Sequence, residues 1–159
     1  MTRPLVTVVV CTYNRAHVLQ QALESLMRQE TDGAFDYEVL VVNNASTDRT
    51  PEVVETACAQ VAGLIRLADE PVAGIAVCRN RGITEAHGAW IAFFDDDQLA
   101  DPQWLASLMD TAQRQEAHCV GGQRTLALPD GTQRALAPFC RILLTEDPTQ
   151  EKYLLPIYS

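Results

Sequence analysis

Three consecutive carboxylates, Asp95, Asp96 and Asp97, close the short apolar run Trp90 to Phe94. Five apolar residues read as a buried strand, and three acids at its end cannot continue into a core. Side chains alternate along an extended chain, so Asp95 and Asp97 share one side if strand geometry persists, and Asp96 points away. Two carboxylates about 5 Å apart repel by roughly 3 kcal/mol at an effective dielectric of about 20. Such a pair needs a proton, bulk water or a cation. A hard divalent ion, held by one or two carboxylates together with substrate phosphates, meets that need. A solvated acidic turn is the competing reading of any Asp triplet, and the remainder of the chain must decide between them.

Two more polar clusters stand where apolar runs stop. Leu5 to Cys11 ends at Thr12, Tyr13 and Asn14, and Tyr37 to Val42 ends at Asn43 and Asn44. Taken singly, each has a structural explanation: Thr12 and Asn14 as caps of a following helix, Asn43, Asn44 and Asp48 as turn formers, Arg79 as a solvated helix residue. Together they mean more. In open α/β sheets, ligands bind outside the carboxyl ends of the strands, where strand order reverses. With the common order 3-2-1-4, strands one and four flank that reversal, and Tyr13 meets the acids in one crevice.

The elements that would position these clusters follow from periodicity. Leu5 to Cys11 is apolar on both faces, as a central parallel strand is. Leu19, Ala22, Leu23, Leu26 and Met27 mark a helix over about 15–29. A second strand spans Tyr37 to Asn43, and Thr50-Pro51 reads as a cap followed by proline at the first helical position. Val53, Val54, Ala57, Cys58 and Val61 form the stripe of that helix, and Leu64 to Ala68 a short third strand. Ile75 to His87 is a helix whose Gly82 implies close packing against the sheet. Ala89 to Phe94 is the fourth strand, and Asp101-Pro102 opens a last helix to about Gln115. Cys119-Val120 and Gln123 to Leu128 look extended, with a hairpin turn at Pro129 to Thr132. The alternation β-α-β-α-β-α-β-α calls for an α/β fold, a mostly parallel sheet with helices on both faces. The tail from Ala137 has no clean period, and its apolar terminus looks more like a cut than a natural end.

At 159 residues and 47% hydrophobic content, the chain suits one domain with a proper core. A net charge of −9 and a pI near 4.7 disfavour nucleic acid as the main partner, since no basic run offers counterion release. No apolar run approaches a membrane span of about 20 residues, and no signal-peptide cleavage site is evident, so the expected location is cytoplasmic. The cysteines at 11, 58, 78, 119 and 140 form no C-x-x-C pair and read as reduced buried thiols. His17, His87 and His118 show no ligand spacing. Without a glycine-rich loop after the first strand, a P-loop or dinucleotide enzyme, or a nucleotidyltransferase on a related sheet, has little support.

Four segments in order, VTVVVCTYNR (6–15), LVVNNASTDRTP (40–51), RNRGITEAHG (79–88) and FFDDDQLADPQWL (93–105), resemble the successive motifs of family 2 glycosyltransferases of the GT-A fold, a Rossmann-like sheet. The resemblance spans about two thirds of the chain, from Leu5 to Met109. It implies inverting transfer of a sugar, of hexosyltransferase type, from a UDP-sugar donor to the hydroxyl of a saccharide, lipid-linked or small-molecule acceptor, with Mg²⁺ or Mn²⁺. It also implies site roles. Thr12, Tyr13 and Asn14 line the base pocket, Arg79 reaches the nucleotide, Asp95 and Asp96 lie where the family contacts ribose and supports the metal, and Asp97 is the direct metal ligand of the DxD motif, with Asp95 beside it. Asn43 stands where many members have an Asp that bonds the base. Its amide offers one acceptor and one donor group rather than two acceptors, which bears on uracil selection. The family's general base lies well beyond the acidic motif. Glu146-Asp147, the acidic pair of the tail, does not match that motif, so the base stays unassigned. Residues 1–128 are accordingly expected to form the nucleotide-sugar-binding core, and 129–159 the start of the acceptor side. A relic that binds nucleotide or a partner without catalysis is the alternative. Peripheral membrane attachment is common where acceptors are lipid-linked, though no basic amphipathic helix supports it here.

Overall fold

In the computed structural model, which describes residues 3–124, the run Leu5–Thr12 forms the strand β1 at the inside of the sheet. Val6, Val8 and Val10 bury into the cluster on one face and Val9 into that on the other. A strand covered on both sides has no face to leave polar, which is why its sequence does not alternate. β2 (Asp36–Asn43), β3 (Ile65–Asp69) and β4 (Trp90–Asp95) are all parallel to it, in the order β3-β2-β1-β4. β1 pairs with β2 from Leu5–Asp36 to Thr12–Asn43 and with β4 from Val6–Trp90 to Cys11–Asp95. The expected order and fold class are therefore those observed. Two units divide the chain, Met1–His118 and Cys119–Ser159, and the sheet belongs to the first.

Four helices cover the sheet unequally. α1 (Ala16–Leu26) buries Leu19, Ala22, Leu23 and Leu26, the i, i+3, i+4, i+7 stripe, against the Val6, Val8 and Val10 face. α2 (Thr50–Gln60) adds Val54 and Ala57 there, and α4 (Trp104–Arg114) adds Leu105 and Met109. Trp104 meets Phe94 of β4 edge-on, with ring centroids 5.0 Å apart. α3 (Ile75–Glu85) lies on the opposite face, where Cys78 packs with Val9, Leu40 and Val42. Gly82 makes that approach possible: a Cβ there would stand 2.4 Å from a methyl of Val9.

Helix starts differ from the expected caps. Thr50 is already helical; Arg49 holds the cap position without a side-chain bond, and Asp48 before it accepts the Thr50 N–H on Oδ1 at 3.0 Å. Asp101 likewise sits ahead of α4, with Oδ1 accepting the Gln103 N–H at 2.9 Å. The expected cap is one residue late at Thr50, which follows Arg49 at the cap position, and two early at Asp101, which precedes Gln103; in each case an Asp accepts from the amide two residues on, as in an Asx turn. Of the described cysteines, Cys78 is buried, Cys11 and Cys58 are partly covered and Cys119 is exposed; all four are free thiols. Burial of every thiol was too broad an expectation. Residues 119–124 form neither helix nor strand, so the extension expected from Cys119 is not a strand there. Its continuation to Leu128, the turn at 129–132 and Glu146-Asp147 lie outside the described residues. Among the described residues, no helix is long and apolar enough to cross a membrane.

A charged network holds α3 to the far end of the sheet. Glu38, on the α3 face of β2, accepts from the Thr7 hydroxyl at 2.7 Å, from Arg66 of β3 at 2.9 and 3.2 Å, and from the His87 N–H at 3.1 Å. Burial alone would raise this carboxyl, but Arg66, Thr7 and the His87 amide outweigh it and hold Glu38 down at about 2. A carboxyl lowered from 4.5 to about 2 on folding lends stability that is complete above pH 4.5 and lost as pH falls toward 2. Thermal melts across that window should show a falling midpoint, and Glu38→Gln should flatten the fall. An equally steep acid limb in the variant would remove Glu38 as its source.

Candidate functional site at the carboxyl ends of the strands

β4 gives way to a turn directly after Asp95, where the Gln98 N–H returns to the Asp95 carbonyl at 3.2 Å. Strand geometry does not persist through Asp97, yet the alternation survives in the turn. The side chains of Asp95 and Asp97 are each half-exposed, whereas Asp96 is buried. Burial pushes the Asp96 carboxyl up; the neighbouring Thr12 and Arg15 oppose that rise, while the charges of Asp97 and Asp95 add to it. The Thr12 hydroxyl, buried at the end of β1, completes no hydrogen bond of ordinary geometry. An unsatisfied hydroxyl beside a buried acid under the crevice is a polar reserve that a fold seldom leaves unused.

Both exposed acids are met by arginines. Arg79, in the second turn of α3, brings its guanidinium to 3.8 Å from Asp95 while lying 5.8 Å over the Phe93 ring. Arg15, between β1 and α1, donates to Asp97 at 3.0 Å. The side chain of Gln98 adds a bond to Asp95 at 3.1 Å. Exposed ion pairs of this kind contribute only about 0–1 kcal/mol each. Little free energy therefore holds the arginines on the acids, and a ligand carrying both a cation and an anion can exchange with them. Among the described residues, no three His, Cys, Asp or Glu side chains gather as a metal cage. Two open carboxylates fit an ion that completes its shell with water and phosphate oxygens, as Mg²⁺ and Mn²⁺ do.

The loops behind this pair are stitched to one another. Asn14 takes the left-handed conformation (φ 52°), and its side-chain oxygen accepts the Thr47 N–H at 2.7 Å and the Asp48 N–H at 3.3 Å. The Asn14 N–H donates in turn to the Ser46 hydroxyl at 3.0 Å. The side-chain oxygen of Asn14 thus joins the β1–α1 and β2–α2 loops, while Tyr13 beside it is 56% exposed. Asn44 is buried and fully used: its amide donates to the carbonyls of Glu70 (3.0 Å) and Val72 (2.6 Å) and accepts from Gly74 N–H (2.8 Å). Asn44 thus tethers the segment leading into α3, together with the Glu70 carboxylate, which accepts the Val72 N–H at 2.8 Å, and the Glu70 N–H, which donates to the Asn43 carbonyl at 2.9 Å. Gly74 enters the helix at φ 146°, a backbone shape that a side chain would strain. Asn43 is buried and turned toward Asp69 of β3, at 2.9 Å.

Of the residues singled out from sequence, Thr12, Arg79, Asp95, Asp96 and Asp97 come together at the ends of β1 and β4. Asn14, two residues past the end of β1, is engaged with the β2–α2 loop, and Asn43 ends the neighbouring β2, bonded to Asp69. Arg15, Asn44 and Asp69 were not assigned roles. Arg15 meets Asp97 across 82 positions of chain, a pairing that local spacing cannot show.

Comparison with known proteins gives this arrangement a family. The model of glycosyl transferase family 2 matches residues 7–158. Glycosyltransferase AglE of Haloferax volcanii is 34% identical over 82% of this chain and 42% of its own. Validoxylamine A glucosyltransferase of Streptomyces hygroscopicus subsp. jinggangensis is 36% identical over 67% of this chain and 25% of its own. The chain thus spans less than half the length of these relatives. Among solved structures, the mannosyltransferase PcManGT from Pyrobaculum calidifontis, in complex with GDP-Man and Mn²⁺, aligns with a TM-score of 0.63 at 32% identity, over 70% of this chain and 33% of its own. S. aureus TarS (1–349) in complex with UDP-GlcNAc shares the fold with a TM-score of 0.59 at 24% identity, over 73% of this chain and 32% of its own. The sheet order and the family match agree: this chain belongs to glycosyl transferase family 2 and has its GT-A-like fold.

Proposed function

We propose that this chain is the donor-binding part of an inverting glycosyltransferase that takes a nucleoside-diphosphate sugar, a UDP-sugar in the first instance, and transfers the sugar to an acceptor hydroxyl. The observation that carries the reading is the half-exposed pair Asp95 and Asp97, each covered by one arginine at the end of β4. In the proposed complex Asp97 and Asp95 hold Mg²⁺ or Mn²⁺, and Arg79 and Arg15 turn from the acids to the diphosphate. The ion supplies positive charge where the nucleoside diphosphate leaves. Tyr13 offers its ring to the base, and Asp96 and Thr12 support the crevice floor beneath the ribose. Inversion requires a base that takes the acceptor's proton; no described residue is assigned that role. The acceptor is a saccharide, a lipid-linked sugar or a small molecule.

Calorimetric titration of UDP and GDP, with and without Mn²⁺, tests the reading; GDP is included because the solved relative at 32% identity holds GDP-Man. At least one nucleotide should bind about 10-fold more tightly with the metal, and the matching sugar nucleotide should be slowly hydrolysed. Binding without any turnover across donors and acceptors would favour a non-catalytic relic. No binding of either nucleotide in the presence of metal would reject the donor site.

A further inference from the structure

Residues 96–103, which carry the chain from the acids to α4, are fastened at their far end by the tail of α1. The Ala100 N–H donates to the Ser25 hydroxyl at 2.9 Å, and the Glu30 N–H donates to the Pro102 carbonyl at 2.8 Å. Between Ser25 and Glu30 in the chain comes Gln29, 9% exposed, with its whole amide engaged. Its Nε2 donates to the carbonyls of Asp101 at 2.8 Å and Ser25 at 3.3 Å, and its Oε1 accepts the Leu105 N–H at 3.0 Å. Leu105 is the second residue of α4, so that N–H is one of the helix-start amides that no intrahelical carbonyl can serve. Gln103, at the cap position, makes no side-chain bond there. Gln29 thus caps α4 from 76 positions away.

The same helix reaches the acids at its head. Arg15 directly precedes α1 and donates to Asp97 at 3.0 Å. One helix therefore holds the loop at two points, the Asp97 side chain at its head and the backbone of Ala100 to Pro102 at its tail. The two attachments differ in strength. The Arg15–Asp97 contact is exposed and screened by solvent, whereas the tail satisfies backbone groups that cost more when left unpaired. Only three residues lead from Asp97 to Ala100, about 11 Å of chain at full extension, so the place of the clasp limits where Asp97 can stand. In the proposed complex Arg15 turns from Asp97 to the diphosphate, and the clasp then remains to fix the loop beyond the acid.

Resting on the donor site proposed above, we infer that Gln29, with Ser25 beside it, is a positioning residue for the metal ligand Asp97. It sets the acid loop so that the carboxylate stands ready for the ion. Groups that orient a metal ligand without touching the metal are felt in metal affinity when they are lost. A role confined to the fold has a different signature: lower stability, with unchanged metal binding by the molecules that remain folded.

The test is calorimetric titration of Mn²⁺ into the chain saturated with UDP or GDP, and of the same nucleotide without metal, below the melting range of every variant. Gln29→Met keeps the side-chain length and removes all three amide bonds. Ser25→Ala is milder, removing the hydroxyl that takes the Ala100 N–H, and it decides the matter if Gln29→Met does not fold. Gln29→Met should weaken Mn²⁺ binding by about 10-fold, the low end for residues that orient metal ligands. Ser25→Ala should weaken it by about threefold, the scale of one neutral hydrogen bond. Metal-free nucleotide affinity should stay at the wild-type value. In an Asp97→Ala background, Gln29→Met should leave the residual nucleotide affinity within about twofold, because the carboxylate it serves is gone. Wild-type Mn²⁺ affinity in both variants would overturn the inference and leave the donor site standing. Equal losses with and without metal, or a loss that persists in the Asp97→Ala background, would do the same. Absence of metal-dependent nucleotide binding by wild type would remove both.

Discussion

Asp97→Ala should weaken UDP or GDP binding in the presence of Mn²⁺ by about 100-fold and leave the residual affinity insensitive to the metal. The size follows from losing roughly 3 kcal/mol of charge-assisted contact, at 1.4 kcal/mol for each factor of ten. Arg15→Ala should behave differently. Arg15 holds Asp97 at 3.0 Å in the ligand-free chain, so its removal frees the carboxylate. Mn²⁺ alone should then bind a few-fold more tightly, the gain limited by the small value of an exposed ion pair. Nucleotide should bind more weakly, because the proposed phosphate contact is gone. Opposite signs for metal and nucleotide are the signature of an arginine that shuttles between acid and diphosphate. Calorimetry reads both, and equal metal-dependent nucleotide affinity in wild type and Asp97→Ala would rule out the acid pair as the metal site.

The largest expected effect on stability comes from Gly88→Ala. A Cβ at Gly88 would stand 2.6 Å from the Thr7 nitrogen, 2.7 Å from the Leu5 carbonyl oxygen and 2.9 Å from the Trp90 carbonyl oxygen. All three are main-chain atoms at the start of β1 and β4, where no rotamer change can relieve the clash. A cost of about 3 kcal/mol or more is expected, at the upper end of overpacking substitutions. Urea denaturation should show it as a lower midpoint. Gly82→Ala meets a Val9 methyl at 2.4 Å, which can yield more than a backbone can, so its cost should be smaller. A shift at Gly88 of under 0.5 kcal/mol, within the range of ordinary surface substitutions, would contradict the close approach.

The parts of this molecule legible in its sequence were those written in local patterns. The apolar run of β1 follows from burial on both faces, the helical stripe of α1 from a period of 3.6, and the acids ending β4 from the cost of burying charge. Strand order was legible only as the common 3-2-1-4 arrangement of a doubly wound sheet, under which the polar strand ends converge. What was hidden depends on register. Glu38 sits inside a run that otherwise reads as apolar, and only pairing with Thr7 and Arg66 reveals its network. Asn43 reads as a turn former until β3 places Asp69 beside it. Arg15 is an unremarked surface arginine until β4 docks. Each of these needs two strands aligned to within one residue, and a shift of one would turn every side chain to the other face.

The pairing of β1 with β4 rather than only with its sequence neighbour carries a consequence for how the protein is made. A nascent chain can lay β2 beside β1, and β3 beside β2, long before residues 90–95 are synthesised, but the crevice then has only one wall. Arg15 and Asp97 meet only when the most distant strand closes on the first. Such long-range closure is the slow step of a parallel sheet. On the proposed donor site, a nucleotide and metal engaging the acids would stabilise the docked β4 by mass action. The donor would then act as a folding ligand for the edge strand as well as a substrate.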